Sequence, residues 1–296
     1  MFCYNVLVKT NKSGPFFILL AALFWSLGGV LSKLIPWSGI SIAAVRSVVA
    51  ALTIGIYRKS FRFKATPSTI AASIFILTTT VLFMMANKMT SAANAIVLQY
   101  TSPLFIIILS LIVFKQRPKK RDAFALLGVG FGIGLFFFEQ FRSGNYWGDL
   151  LALGSGLTFA GVFFSNKLKG ASPIDATFMG NLLGIVFLPY LAFDTLFLSN
   201  QGAMPWITII IMGVFQQAFG YIFFSKGIKH TSATTASIIA TLEPILNPIW
   251  VFLVIGELPK PLALVGGGIV LLTVLIYNTI VTKENFKSVK ITQIQT

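Results

Sequence analysis

Two ionisable side chains stand inside long apolar runs of this chain: Arg46, within Ala43–Leu52 (AAVRSVVAAL), and Glu243, within Thr241–Pro248 (TLEPILNP). A charge at the centre of a bilayer costs about 2.5–3.5 kcal/mol even on insertion scales, so each group should face protein or a water-filled cavity. A carboxyl at that depth suits a proton or substrate site, because gaining or losing one proton switches its charge. It also suits a structural group that bonds the backbone freed by Pro244. For Arg46 the structural reading is the stronger one, since its five N–H donors can satisfy carbonyls of broken neighbouring helices.

Uncharged polar residues cluster at similar depth. They are Trp25 and Ser26 on the first apolar run, Gln99 and Tyr100 on the fourth, and Thr158 on the sixth. Gln216, Gln217 and Tyr221 follow on the eighth, Asn247 joins Glu243 on the ninth, and Asn87 sits on the third, nearer one surface. Polar groups converging at mid-depth are what a solute pocket needs. Singly, each reads equally as interhelical hydrogen-bond glue, worth about 0.6–2 kcal/mol. Together they favour a substrate-binding lining, with Glu243 as the coupling or protonation candidate and Arg46 as a structural charge. One cysteine (Cys3) and one histidine (His230) exclude a disulfide framework and a His/Cys metal or haem site, so no cofactor is expected.

The elements that must position these residues are membrane helices. The chain has 296 residues, of which 56% are hydrophobic and 10% charged. That composition, with a mean hydropathy of +0.85, belongs to a polytopic membrane protein. Ten apolar runs are long enough to span: roughly 15–34, 38–57, 68–86, 91–114, 122–138, 147–166, 175–193, 204–225, 232–254 and 261–281. The first is read as a retained span and not a signal peptide. The net charge of +15 does not indicate nucleic acid, because the basic residues sit in short loops. With the N-terminus in the cytoplasm, 18 of the 23 Lys and Arg residues fall inside and four outside, with Arg46 in a span. This bias puts both termini on the cytoplasmic side.

An internal repeat explains how such helices could be arranged. Ser91–Leu104 (SAANAIVLQYTSPL) aligns without a gap on Ser232–Ile245 (SATTASIIATLEPI), at an offset of 141 residues. Ser91, Ala92, Ala95 and Pro103 fall on Ser232, Ala233, Ala236 and Pro244, and Pro118 falls on Pro259. Five spans per half force the halves into opposite orientation. The strongly basic Lys115–Asp122 (KQRPKKRD) and its nearly neutral counterpart Gly256–Pro261 (GELPKP) agree with that inversion. The expected halves are residues 1–143 and 144–296. Prolines 103, 244 and 248 should break spans four and nine where they line the central cleft. Gly128, Gly130, Gly132 and Gly134 on span five, with Gly266, Gly267 and Gly268 on span ten, read as close helix packing.

The stretch TLEPILNPIWVFLVIGELPKPLALVGGGIVLL, with Gly256 and Glu257 as a Gly-Glu turn, closely resembles the end of an EamA domain in the drug/metabolite transporter superfamily. Leu19–Gly29 (LLAALFWSLGG), Ala43–Leu52 and Trp147–Leu157 (WGDLLALGSGL) match other helices of that family. The resemblance covers nearly the whole chain, and departs at Lys115-Gln116-Arg117, where the first repeat commonly has Gly-Glu before a basic residue. It implies an all-α membrane protein: ten transmembrane helices as two inverted five-helix repeats around a central cavity. It also implies a carrier of amino acids, related metabolites, sugars or drugs, an exporter in many members, often using proton exchange. The expected partners are a small-molecule solute, the lipid bilayer of the cell (plasma or inner) membrane and a proton as coupling ion. Monomer and homodimer read equally well. A cavity with few charges suits a neutral, zwitterionic or aromatic solute better than a phosphate ester. Two rivals are a membrane-embedded lipid-modifying enzyme, for which no convincing nucleophile–base set exists, and a non-transporting sensor or scaffold.

Overall fold

The computed structural model describes residues 13–294 except 103, 106–107, 110–119, 144–145, 167, 229 and 231–238. Cys3, Pro103, Pro118 and most of the basic 115–122 loop therefore lie outside the described residues. So do Ser232, Ala233 and Ala236 of the second repeat copy. Among the described residues all regular structure is helical. Five continuous apolar segments have the length to cross a bilayer: Ser13–Leu34, Gly39–Arg58, Pro67–Met89, Pro173–Ala192 and Ala203–Gly227. Shorter apolar helices include Leu242–Ile255, and Trp147–Ser165 and Pro261–Ile294 complete the helical frame with Lys120–Ser143.

Helix ends follow local chemistry. Ser38 accepts the Ser41 N–H, Thr66 accepts the Thr69 N–H ahead of Pro67, and Ser91 accepts the Asn94 N–H. Leu242–Ile255 stops at Gly256, whose φ of 76° is the left-handed conformation that glycine adopts without strain.

The outer surface is strongly apolar, and the interior combines apolar packing with buried polar side chains. Leu127, Val186, Phe193, Met204 and Leu253 are among many large hydrophobic side chains left exposed, an outer surface that only lipid can cover. Arg46, Asn87, Asn181, Gln216, Gln217, Glu243 and Asn247 are buried. This is a multi-pass membrane protein.

Packing neighbours exchange when five spans are added or subtracted. Pro67–Met89 lies along Trp147–Ser165, and its counterpart Ala203–Gly227 lies along Ser13–Ser26. Ala92–Gln99 touches Trp147–Ser165, as Leu242–Ile255 touches Ser13–Ser26. Gly39–Arg58 packs on Pro173–Leu183, and Lys120–Ser143 on Pro261–Ile294. On Lys120–Ser143, Gly128 and Gly132 face the partner helix: an added methyl would strike Thr273 at 2.6 Å and Val270 at 2.7 Å. Gly130 and Gly134 face open space, so a single i, i+4 stripe makes the contact.

Candidate functional site

Four of the spans leave regular α geometry around one place. The first breaks at Leu27, between Ser13–Ser26 and Gly28–Leu34. The fourth leaves α geometry at Tyr100–Thr101, after Ala92–Gln99. The ninth turns at Thr241, ahead of Leu242–Ile255. Tyr100 and Thr241 correspond at the 141-residue offset, so both copies break at the same point, just before the prolines. The eighth span widens into i→i+5 turns over Met212–Phe219.

Within that widening, the two adjacent glutamines Gln216 and Gln217 are both buried and both line the site. Wide turns of this kind concentrate where function needs a re-aimed side chain. Gln216 Oε1 accepts from Arg46 Nη1 at 3.0 Å. Gln217 Nε2 donates to Asn181 Oδ1 at 3.0 Å and to Thr80 Oγ1 at 3.4 Å.

Between these elements lies a cavity of about 40 Å³. Trp25, Arg46, Gln99, Gln216, Gln217, Tyr221 and Glu243 line it, as a central pocket requires, together with Thr79, Thr80, Phe83 and Phe159. The volume holds a few waters and falls far short of the several hundred Å³ a drug-sized solute occupies.

Tyr100 lies behind the carboxyl: its Oη is 2.7 Å from Glu243 Oε2 and 2.9 Å from the Ala240 carbonyl oxygen. The other sequence candidates stand in the wall or away from it. Thr158 accepts from Thr79 at 2.8 Å and so backs the third span. Ser26 accepts from Trp250 Nε1 at 3.0 Å, tying the first span to the ninth. Asn87 donates to the Phe83 carbonyl within its own helix. Asn247 is fully buried with neither amide atom hydrogen-bonded, pressed against Gly29, where any side chain would collide with it. The glycine pair Gly28-Gly29 lets Gln216 and Asn247 approach the first span together.

Thr79, Thr80, Phe83 and Phe159 carried no sequence signal. Threonines in a membrane helix usually bond their own backbone, as Thr78 does to Ile74, and nothing in the run ILTTT marks which hydroxyls turn inward. Among the described residues no group of three or more His, Cys, Asp or Glu could hold a metal ion.

Both ends of the bundle are tied off by polar contacts. On the face assigned to the outside, Glu257 pairs with Lys33 at 2.9 Å and accepts the Ala92 N–H at 2.9 Å, at the start of the fourth span. Lys33 also donates to the Thr90 carbonyl, and Lys88 donates to the carbonyls of Ser32 and Ile35. Asp194, just past the seventh span, accepts from Ser38 N, Ser41 Oγ, Leu196 N and Phe197 N. At the opposite end Arg58 forms an ion pair with Asp175.

Comparison with known proteins agrees with this architecture. The EamA-like transporter family model matches residues 12–138 and again 146–279. An uncharacterized transporter of Archaeoglobus fulgidus is 30% identical over 208 residues, 69% of this chain and 73% of its own length. The uncharacterized transporter YyaM of Bacillus subtilis is 28% identical, with 79% of each chain covered. Human solute carrier family 35 member G1 is 25% identical over 83% of this chain and 73% of its own. One solved crystal structure shares the fold with a TM-score of 0.59 at 15% identity, covering 91% of this chain and 98% of the other. The chain belongs to the EamA-like transporter family, and is a membrane transporter.

Proposed function

We propose that this transporter moves a small organic solute, such as an amino acid or related metabolite, outward across the cell membrane by alternating access, with a proton as coupling ion. The halves 1–143 and 144–296 form inverted repeats that rock about the cavity, and both termini are cytoplasmic. The observation that carries this reading is the placement of the cavity at the matched breaks in spans four and nine, flanked by Glu243. Broken helices leave backbone groups and buried polar side chains available to a ligand at mid-depth, the arrangement by which inverted-repeat carriers bind cargo. The exchange of packing neighbours under a five-span shift supports the two-half organisation.

Glu243 suits the coupling role because of a hydrogen count. Tyr100 has one hydroxyl hydrogen yet sits within bonding distance of two acceptors, Glu243 Oε2 and the Ala240 carbonyl. Each contact gains its own hydrogen only if the carboxyl is protonated and donates to Tyr100, which then donates to Ala240. Loss of that proton leaves a buried carboxylate beside an overcommitted tyrosine. That change favours a rearrangement exposing the carboxyl to water. Reconstituted protein should show saturable flux of labelled amino acids that rises when a pH gradient is imposed. Absence of saturable flux for any amino acid or related metabolite would overturn the proposal.

A further inference from the structure

Arg46 is 2% exposed, lines the cavity, and has no acidic partner among the described residues. The ion pairs among the described residues are Lys33–Glu257 and Arg58–Asp175. The cavity's own carboxyl, Glu243, is bonded to Tyr100. Of the five donors on the Arg46 guanidinium, the described residues engage one nitrogen, Nη1, through Gln216. Its Nε is buried without a hydrogen-bond partner. A purely structural arginine would spend its donors on backbone carbonyls, whereas this one leaves Nε unspent while lining the cavity.

From this geometry we infer that Arg46 anchors a carboxylate on the transported solute, so that the cargo is a carboxylate-bearing organic molecule. This rests on the cavity being the solute site. Gln216 takes Nη1 and fixes the plane of the guanidinium, which leaves the Nε edge to meet two carboxylate oxygens side by side. Trp25, Phe83, Phe159 and Tyr221 supply apolar walls for the rest of the molecule. A single guanidinium balances one negative charge. A doubly charged phosphate would leave one negative charge uncompensated at a depth where that is costly.

Thermal stability of the purified full-length chain tests this. The probes are the twenty amino acids, benzoate, phenylacetate and lactate, each compared with its amide. The best stabilising compound should be a carboxylate. Its amide should bind at least about tenfold more weakly, the level at which one lost charge-assisted contact reads. Arg46→Gln should abolish that stabilisation and Arg46→Lys should weaken it. Without ligand, Arg46→Gln should melt at or above the wild-type temperature, because it removes an unbalanced buried charge. The inference is overturned if no carboxylate stabilises the wild type, if the amides bind equally well, or if unliganded Arg46→Gln melts lower. Saturable flux of a carboxylate-free cation, undiminished in Arg46→Gln, would overturn the anchor and leave transport standing. Carboxylate binding without flux of any solute would spare the anchor and remove the transport proposal.

Discussion

Glu257 joins three parts of one end of the bundle, the end that the proposed orientation puts outside, and its neutralisation should loosen that end measurably. In Glu257→Gln the amide oxygen can still accept the Ala92 N–H, but the charge attraction to Lys33 is lost. The two side chains are 19% and 26% exposed, so the pair is partly screened and is worth about 1 kcal/mol at most. Replacing a charge-assisted bond at a helix start by a neutral one removes up to about 1 kcal/mol more. If both contacts hold only while the outer face is closed, the open population rises by about 5–30-fold for a loss of 1–2 kcal/mol. The chain has one native cysteine, Cys3. In a Cys3→Ser background, a reporter at Thr80→Cys in the cavity wall should react with a membrane-impermeant maleimide from outside, faster by that factor when Glu257→Gln is added. An unchanged or slower labelling rate would refute the reasoning.

Further expectations concern packing and charge. Gly29→Ala drives a methyl into the buried Asn247 amide, and overpacking of this kind costs about 1–3 kcal/mol. Its melting temperature in detergent should fall, and an unchanged value would show that the first and ninth spans do not meet there. Burial pushes the Asp194 carboxyl up, but the bonds from Ser38, Ser41 and Phe197 outweigh it and hold it below the usual carboxylate range. Its contribution to stability is therefore complete above the unfolded-state value and is lost as pH falls through the lower folded-state value. Asp194→Asn should flatten the acid side of a stability-versus-pH curve, and an identical acid slope would contradict this. Tyr100→Phe strands the Ala240 carbonyl and one Glu243 oxygen, costing about 1–3 kcal/mol. Its pH dependence of transport should shift relative to wild type, which a purely structural tyrosine would not cause.

Five of the expected spans, the first, second, third, seventh and eighth, were legible because long apolar runs carry them directly. The breaks near Tyr100 and Thr241 fall just before Pro103 and Pro244, which cannot donate to the helix ladder, whereas Pro248 sits inside the continuous helix Leu242–Ile255 and does not break it. Arg46 and Glu243 stood out because charge is rare in hydrocarbon. Other features depend on geometry that no residue type announces. The wide turns at Met212–Phe219, which hold Gln216 and Gln217, are marked by no proline or glycine pair. Thr79 and Thr158 differ by one hydrogen bond in whether they front the cavity or support its wall, a distinction set by the packing of the third span on the sixth. Asn87 and Asn247 share the composition of cavity residues but spend their burial inside helix contacts. The seventh span tightens to 3₁₀ turns over Gly184–Ala192, where Pro189 interrupts the ladder within a run that reads as continuous helix.

The most direct test of Glu243 as the coupling group separates exchange from accumulation. Proteoliposomes containing Glu243→Gln should retain counterflow of a bound solute, since the amide keeps the side chain's shape, but lose accumulation driven by a pH gradient. Gradient-driven accumulation at the wild-type level in Glu243→Gln would contradict the account and return this carboxyl to a structural role.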